Sequence, residues 1–254
     1  MTPLLSAQDL SVHTADGQVL LKPVSLQVHS GEVVGIIGAN GAGKSTLLKA
    51  LAGIQPVPSG SIQLAGQEAP TLSSLQRAQI LGYLEQRPQL HWPMQVQQVV
   101  ALARLSFGDR ELPNGIAAIA GALAATSMTA FSQRDFLQLS EGEKLLVNLA
   151  RVLAGAPRLL LADEPTAALD PAHQHRVMQL LRQRAAAGMA VLVVLHDLTL
   201  AARYCDRLLL LHKGALLAEG TPAAVLSSAN LQHAFHIDAV LDTASHAVMI
   251  RTSH

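Results

Sequence analysis

The sequence predicts an α/β fold in which a mostly parallel core sheet carries an N-terminal antiparallel β subdomain and an α-helical insert subdomain, all within a single domain over residues 1–254. Three observations lead there. From Val33 onward, short apolar runs alternate with longer amphipathic ones, the pattern of strand-helix-strand units around a parallel sheet. Before that, Leu4 to Val12 and Val19 to Val28 alternate apolar with polar residues about the turn at Asp16-Gly17, which predicts an antiparallel pair. Between about Leu90 and Gln138 the strand signals vanish and only helical spacing remains.

Taken in order, Val33-Val34-Gly35-Ile36-Ile37 reads as a fully buried strand and Lys44 to Ala52 as a helix stopped by Gly53. Pro56, Pro58 and Gly60 break the chain before a strand at Ser61 to Leu64. Val96 to Leu105 and Ile116 to Met128 read as helices, with Pro113-Asn114-Gly115 as the break between them. They belong to an insert spanning about 88–157. Leu159 to Leu161 returns to strand, Pro171 to Ala187 to helix and Val191 to Leu195 to strand. In the tail, about 221–254, Thr221-Pro222 has the N-cap and first-position residues of a helix, and small helices and a weak terminal strand follow.

Composition narrows the function. Half of the residues are hydrophobic, enough for a substantial core, and 18 basic side chains balance 18 acidic ones spread along the chain. That balance predicts no nucleic-acid partner, because no basic face is there to neutralise phosphates. The single Cys205 allows no internal disulfide, and Met1-Thr2-Pro3 opens no signal peptide, so a reducing compartment is expected. Apolar runs at Gly115–Ala125 and Ala185–Leu195 fall short of the roughly 20 residues of a membrane helix.

The clearest chemistry lies at Gly38, Ala39, Asn40, Gly41, Ala42, Gly43, Lys44, Ser45 and Thr46, which fit G-x-x-x-x-G-K-[ST] between a buried strand and a helix. Glycines without Cβ let successive backbone N–H groups converge on phosphate oxygens, and the helix N-terminus adds positive potential. Lys44 is placed to reach the β- and γ-phosphates and Ser45 to ligate Mg²⁺, which makes the fold that of a P-loop NTPase. Downstream, the strand at Leu159 ends in adjacent carboxylates. Alternation sends them in different directions: Asp163 towards the Mg²⁺ shell and Glu164 towards the attacking water as general base.

Three further motifs follow the phosphate loop in a familiar order, and with them the chain resembles the nucleotide-binding subunits of ABC transporters over essentially its whole length. Leu139-Ser140-Glu141-Gly142-Glu143 looks like the family signature, Ala168-Leu169-Asp170 like its D-loop, and His196 stands at a strand end like the switch histidine. Gln86, in Tyr83-Leu84-Glu85-Gln86, looks like the glutamine that opens the helical insert. The resemblance implies Glu164, His196 and Gln86 in catalysis, Ser45, Gln86 and Asp163 around Mg²⁺, and ATP as the nucleotide. It also implies that Ser140, Gly142 and Asp170 of one copy complete the site of a second copy in an ATP-sandwich homodimer. Ser140-x-x-Glu143 is equally a capping box and Asp170-Pro171 equally an N-cap, and both descriptions can hold together.

By the same resemblance the chain docks on separate integral membrane permease subunits at the cytoplasmic face of a bacterial inner or plasma membrane, served by an extracytoplasmic solute-binding protein. Leu81 to Gln86 followed by Trp92-Pro93-Met94-Gln95-Val96 and Val99 to Arg104 is most similar to importers of haem, ferric siderophores or cobalamin. An exporter ATPase and a non-transport nucleotide switch are the alternatives.

Two positions depart from the family pattern. Glu141 stands where the signature has Gly, and it is expected to point away while Ser140 and Gly142 make the phosphate contacts. Where an aromatic usually stacks on adenine, Leu10 to Thr14 offers only His13. Trp92 is expected in the core, with a contact to the membrane partner as the other reading. Cys205 is expected to be a small core residue, and His173-x-His175 is not expected to bind metal because i and i+2 face different ways on a helix.

Overall fold

The computed structural model describes residues 2–14, 16–86, 90 and 92–251. The expected start of the insert at Pro88, His91 beside Trp92 and the last residues of the tail, 252–254, lie outside the described residues. The chain runs β1 (Leu5–His13), β2 (Val19–Val28), β3 (Val33–Ile37), α1 (Lys44–Leu51), β4 (Ser59–Leu64), β5 (Gln67–Glu68), α2 (Ser74–Ile80) and β6 (Leu81–Leu84). After these come α3 (Val96–Ala101), α4 (Pro113–Ala125), α5 (Glu141–Ala154), β7 (Leu159–Asp163), α6 (Pro171–Ala186), β8 (Ala190–Val194), α7 (Leu198–Tyr204) and β9 (Arg207–His212). The remainder is β10 (Ala215–Gly220), α8 (Pro222–Val225), α9 (Ser228–Phe235), β11 (Ala239–Asp242) and β12 (Ala247–Ile250).

The core sheet has strand order β10-β9-β3-β8-β7-β6, parallel throughout except for the antiparallel β9–β10 edge. Every residue of β3, β7 and β8 is buried, as a parallel sheet covered on both faces requires. An antiparallel sheet, β2-β1-β4-β5, shares one apolar core with α1 and one face of the core sheet. On the other face lie α6, α7 and the C-terminal elements. A third core belongs to the helices between β6 and β7.

Helix α5 ties these layers together. Val147, Ala150 and Ala154 enter the helical core while Leu149 and Val152 pack under the sheet. Each such buried Leu or Val side chain contributes about 1.5–3 kcal/mol. The N-terminus of α5, at Ser140, is therefore carried on a helix fixed to both layers.

Three local expectations change. Pro113 does not separate two helices but starts α4 at its first turn, where a missing N–H costs nothing. The helix expected to reach Leu105 gives way at Leu102–Ser106 to 3₁₀ geometry. The weak terminal strand is a hairpin, β11 with β12.

Candidate functional site

The loop from β3 into α1 is built by glycines in conformations other residues avoid. Gly38, Gly41 and Gly43 have φ of 151°, 77° and 98°, and Gly43 caps α1 without any side-chain hydrogen bond. The cap therefore offers the first N–H groups of α1 no side-chain acceptor, the condition under which a helix N-terminus can take an anion. A Cβ on Gly38 would lie 2.3 Å from the Leu211 carbonyl oxygen at the end of β9. Gly38→Ala is accordingly expected to cost about 1–3 kcal/mol or more and to distort the loop. A thermal melt with and without ATP checks it, and a wild-type melting temperature with full nucleotide protection would contradict it.

Lys44 is buried, and its Nζ donates to the carbonyls of Gly38 at 2.8 Å and Ala39 at 3.0 Å. Burial lowers its pKa, against the opposing pull of Glu164 and Asp163. The ammonium is held over the loop by weak neutral acceptors that a phosphate oxygen can replace. Ser45 Oγ donates to Asp163 Oδ1 at 3.1 Å.

Asp163 is 2% exposed at the end of β7, and burial raises its pKa, opposed by the Ser45 hydrogen bond and reinforced by the charge of Glu164. A carboxyl whose folded pKa is raised supports the fold most below the ordinary carboxylate range, near pH 4, and that support is lost as pH rises through the folded value. At neutral pH the Asp163 carboxyl therefore contributes less stability than it does near pH 4. Asp163→Asn is expected to melt a few degrees higher at pH 7, the gain shrinking towards pH 4. Paired melts at the two pH values test the sign; a lower melting temperature at pH 7 would refute it.

Glu164 follows with φ of 51°, a left-handed conformation that costs a non-glycine residue free energy and turns its side chain off the strand line. Its carboxylate is hydrogen-bonded on one oxygen by Gln86 Nε2 and on the other to His196 Nε2. Asp163 thus faces Ser45 while Glu164 faces Gln86 and His196, and Lys44 feels the charge of both carboxylates.

The other motif residues lie nearby but are engaged differently. Ser140 caps α5: its Oγ accepts from the Glu143 N–H at 3.3 Å, and Glu143 Oε2 accepts from the Ser140 N–H and hydroxyl, both at 2.8 Å. None of these bonds reaches the phosphate loop of the same chain. Gly142 is pressed against the D-loop, since a Cβ there would stand 3.1 Å from the Ala168 carbonyl oxygen. Asp170 caps α6 by accepting from the His173 N–H at 2.9 Å, and that bond, with the His173 ring, holds its carboxyl below the usual range. A cleft of about 360 Å³ is lined by Gln86, Glu141, Lys144, Leu145, Glu164, Ala167 and Ala168. Glu141 is ion-paired with Lys144 at 2.8 Å, a partner that sequence reasoning did not assign, although the i,i+3 spacing was visible.

His13 is exposed beside Val19 in the β1–β2 register, and Leu20, the next residue, approaches Gly43, so His13 stands in the neighbourhood of the loop. Trp92 is not in the core: it is 61% exposed. Cys205 is buried and its thiol is pushed up to about 12. His173 bonds Asp170 and His175 bonds the Tyr204 hydroxyl at 2.9 Å, so the two rings serve different partners. A wider groove of about 740 Å³ lies away from this chemistry, between α3 and α4.

Comparison with known proteins agrees with the geometry. A family profile described as "ABC transporter" matches residues 21–167. The "Hemin import ATP-binding protein HmuV" of Pseudomonas fluorescens strain Pf0-1 is 43% identical over 245 residues, covering 94% of this chain and 95% of that one. The protein of the same name from Streptomyces coelicolor is 44% identical over 234 residues, covering 91% and 83%. Among solved structures, cbiO1 from Clostridium perfringens, part of the ABC transporter complex cbiONQ, superposes with a TM-score of 0.78 at 28% identity, covering 92% and 94%. A dimeric post-hydrolysis state of the ATP-binding cassette MJ0796, bound to ADP and Pi, gives 0.78 at 27% identity, covering 86% and 98%.

Proposed function

The chain belongs to the ABC transporter family, and from that premise we propose that it powers the import of haem. It is an ATP-binding, ATP-hydrolysing subunit of an importer; dimerisation and assembly with membrane subunits are the family's mode of action. The observation that carries the ATPase reading is the meeting of two halves of a site: the Lys44–Ser45 loop on one side of Asp163, and Glu164 held between Gln86 and His196 on the other. The choice of haem rests on relatives 40–44% identical that are named hemin import ATP-binding proteins, since no residue of this chain is expected to touch the solute.

In the mechanism, the N–H groups from Gly38 to Thr46 enclose the phosphates, and Lys44 exchanges its two carbonyl acceptors for β- and γ-phosphate oxygens. The Ser45 hydroxyl and the Asp163 carboxylate are hard oxygen donors already in contact, a set that fits Mg²⁺, and by the family resemblance the Gln86 side-chain oxygen would join them. When bound there, the ion would neutralise charge on the β- and γ-phosphate oxygens. Glu164 takes the proton of the attacking water, and His196 and Gln86 hold its carboxylate in place. Ser140 and Gly142 of a second copy, with Asp170, close over the γ-phosphate through the N-terminus of α5. His13 lies against the base. ATP thereby binds the closed dimer better than the open one, and hydrolysis reverses the preference.

In this reading the permease subunits are separate chains; no helix among the described residues is long and apolar enough to cross a membrane. They receive the closure near Gln86 and the exposed Trp92, at the cytoplasmic face, and a solute-binding protein delivers haem from the other side. The test is ATP hydrolysis by the membrane complex, captured through a tag on this chain and reconstituted in lipid. Its solute-binding protein is loaded in turn with haem, a ferric siderophore or cobalamin. Stimulation by the haem-loaded form is expected; stimulation only by another form, or by none, would overturn the assignment.

A further inference from the structure

Two carboxylates stand in the first turn of α5: Glu143 is engaged by the Ser140 N–H and hydroxyl in the capping box, whereas Glu141 takes no part in the cap. The helix dipole and the first-turn N–H groups attract negative charge, yet a carboxylate stands at the first helical position, 76% exposed, where the partner's γ-phosphate is to arrive. An uncompensated like charge within a few ångströms would weaken the approach by roughly tenfold or more, even after screening by solvent.

One turn further on the same face is Lys144. Its Nζ lies 2.8 Å from Glu141 Oε1, and its side chain is only 24% exposed, so the ammonium is held in place along the cleft wall. Among the described residues lining that cleft, which include the carboxylates of Glu141 and Glu164, Lys144 is the one cation. Helix stability does not call for the pair, because Ser140 and Glu143 already form the capping box and an exposed i,i+3 pair adds little.

We propose that Lys144 is a positioning residue of the ATP sandwich: it neutralises Glu141, so that the signature helix of one copy can accept the γ-phosphate bound to the other. This rests on the reading of Ser140 and Gly142 as the partner's phosphate contacts.

A double-mutant cycle tests it in the full chain carrying Glu164→Gln, whose ATP-driven dimer is followed by sedimentation while nucleotide affinity of the monomer is measured by calorimetry. Lys144→Gln is expected to raise the ATP concentration needed for half-maximal dimer by about tenfold or more. Adding Glu141→Gln should restore it to within about threefold, and Lys144→Arg should keep it near the parent. Monomer ATP affinity and melting temperature should stay at parental values in all variants, which separates positioning from folding. If Lys144→Gln dimerises like the parent, or the double variant is as weak as Lys144→Gln alone, the coupling is refuted. Failure of the Glu164→Gln parent to dimerise with ATP would instead remove the sandwich reading, and this proposal with it.

Discussion

Replacing Glu164 by Gln is expected to lower ATP hydrolysis by roughly 10²–10⁴-fold, the usual contribution of a positioned general base, and to leave an ATP-bound dimer that no longer opens. The substitution keeps the shape and an amide oxygen that can still accept a hydrogen bond where the carboxylate met Gln86 and His196. What it removes is the basicity that accepts a proton from water. Binding of ATP uses the phosphate loop, whose side chains Glu164 does not hydrogen-bond, and should persist, so the closed state accumulates because its exit is blocked. Phosphate release and sedimentation, read on the same sample with saturating ATP and Mg²⁺, distinguish the outcomes. A monomer with wild-type turnover would mean that another group activates the water.

Lys44→Ala is expected to weaken ATP binding by about 30- to 5,000-fold, which corresponds to the roughly 2–5 kcal/mol lost when one member of a buried charge pair is truncated. The size of the effect follows from the resting geometry. The ammonium is already buried and stripped of most water, and neutral carbonyls compensate it only in part. A phosphate oxygen offers it a full charge, so binding recovers a desolvation cost that the fold has already incurred. The Ala variant should keep its fold, since it loses two hydrogen bonds to carbonyls at the loop and no core contact of the sheet. Calorimetry of nucleotide binding gives the answer, and an unchanged affinity would remove Lys44 from the phosphate site.

The phosphate loop was legible because its geometry is local. A buried strand, three glycines and a helix start occupy about twenty consecutive residues, and no distant contact is needed to place Lys44 beside the Gly38 carbonyl. The carboxylates at Asp163 and Glu164 were legible for a similar reason, as a strand end gives adjacent residues different directions. Pro113 was misread because Pro-Asn-Gly is a strong turn signal in isolation; only the packing of α4 against α3 and α5 shows that the helix begins there. Trp92 was assigned to the core on residue type, and its 61% exposure is a property of the surface around it.

By itself, then, the amino-acid sequence determined the α/β class, the phosphate loop, the acidic strand end and the family motifs, all of which are set by short-range pattern. Tertiary structure decided what those motifs touch. Gln86, Glu164 and His196 are 78 and 32 residues apart along the chain, and they meet because β6, β7 and β8 are neighbouring parallel strands whose carboxyl ends lie side by side. Strand order is chosen by the burial of whole faces, a sum over the core that no local window contains. The direction of Glu141 towards Lys144 is a helix-face relation visible in the spacing, but only the fold sets that face on the same cleft as Glu164.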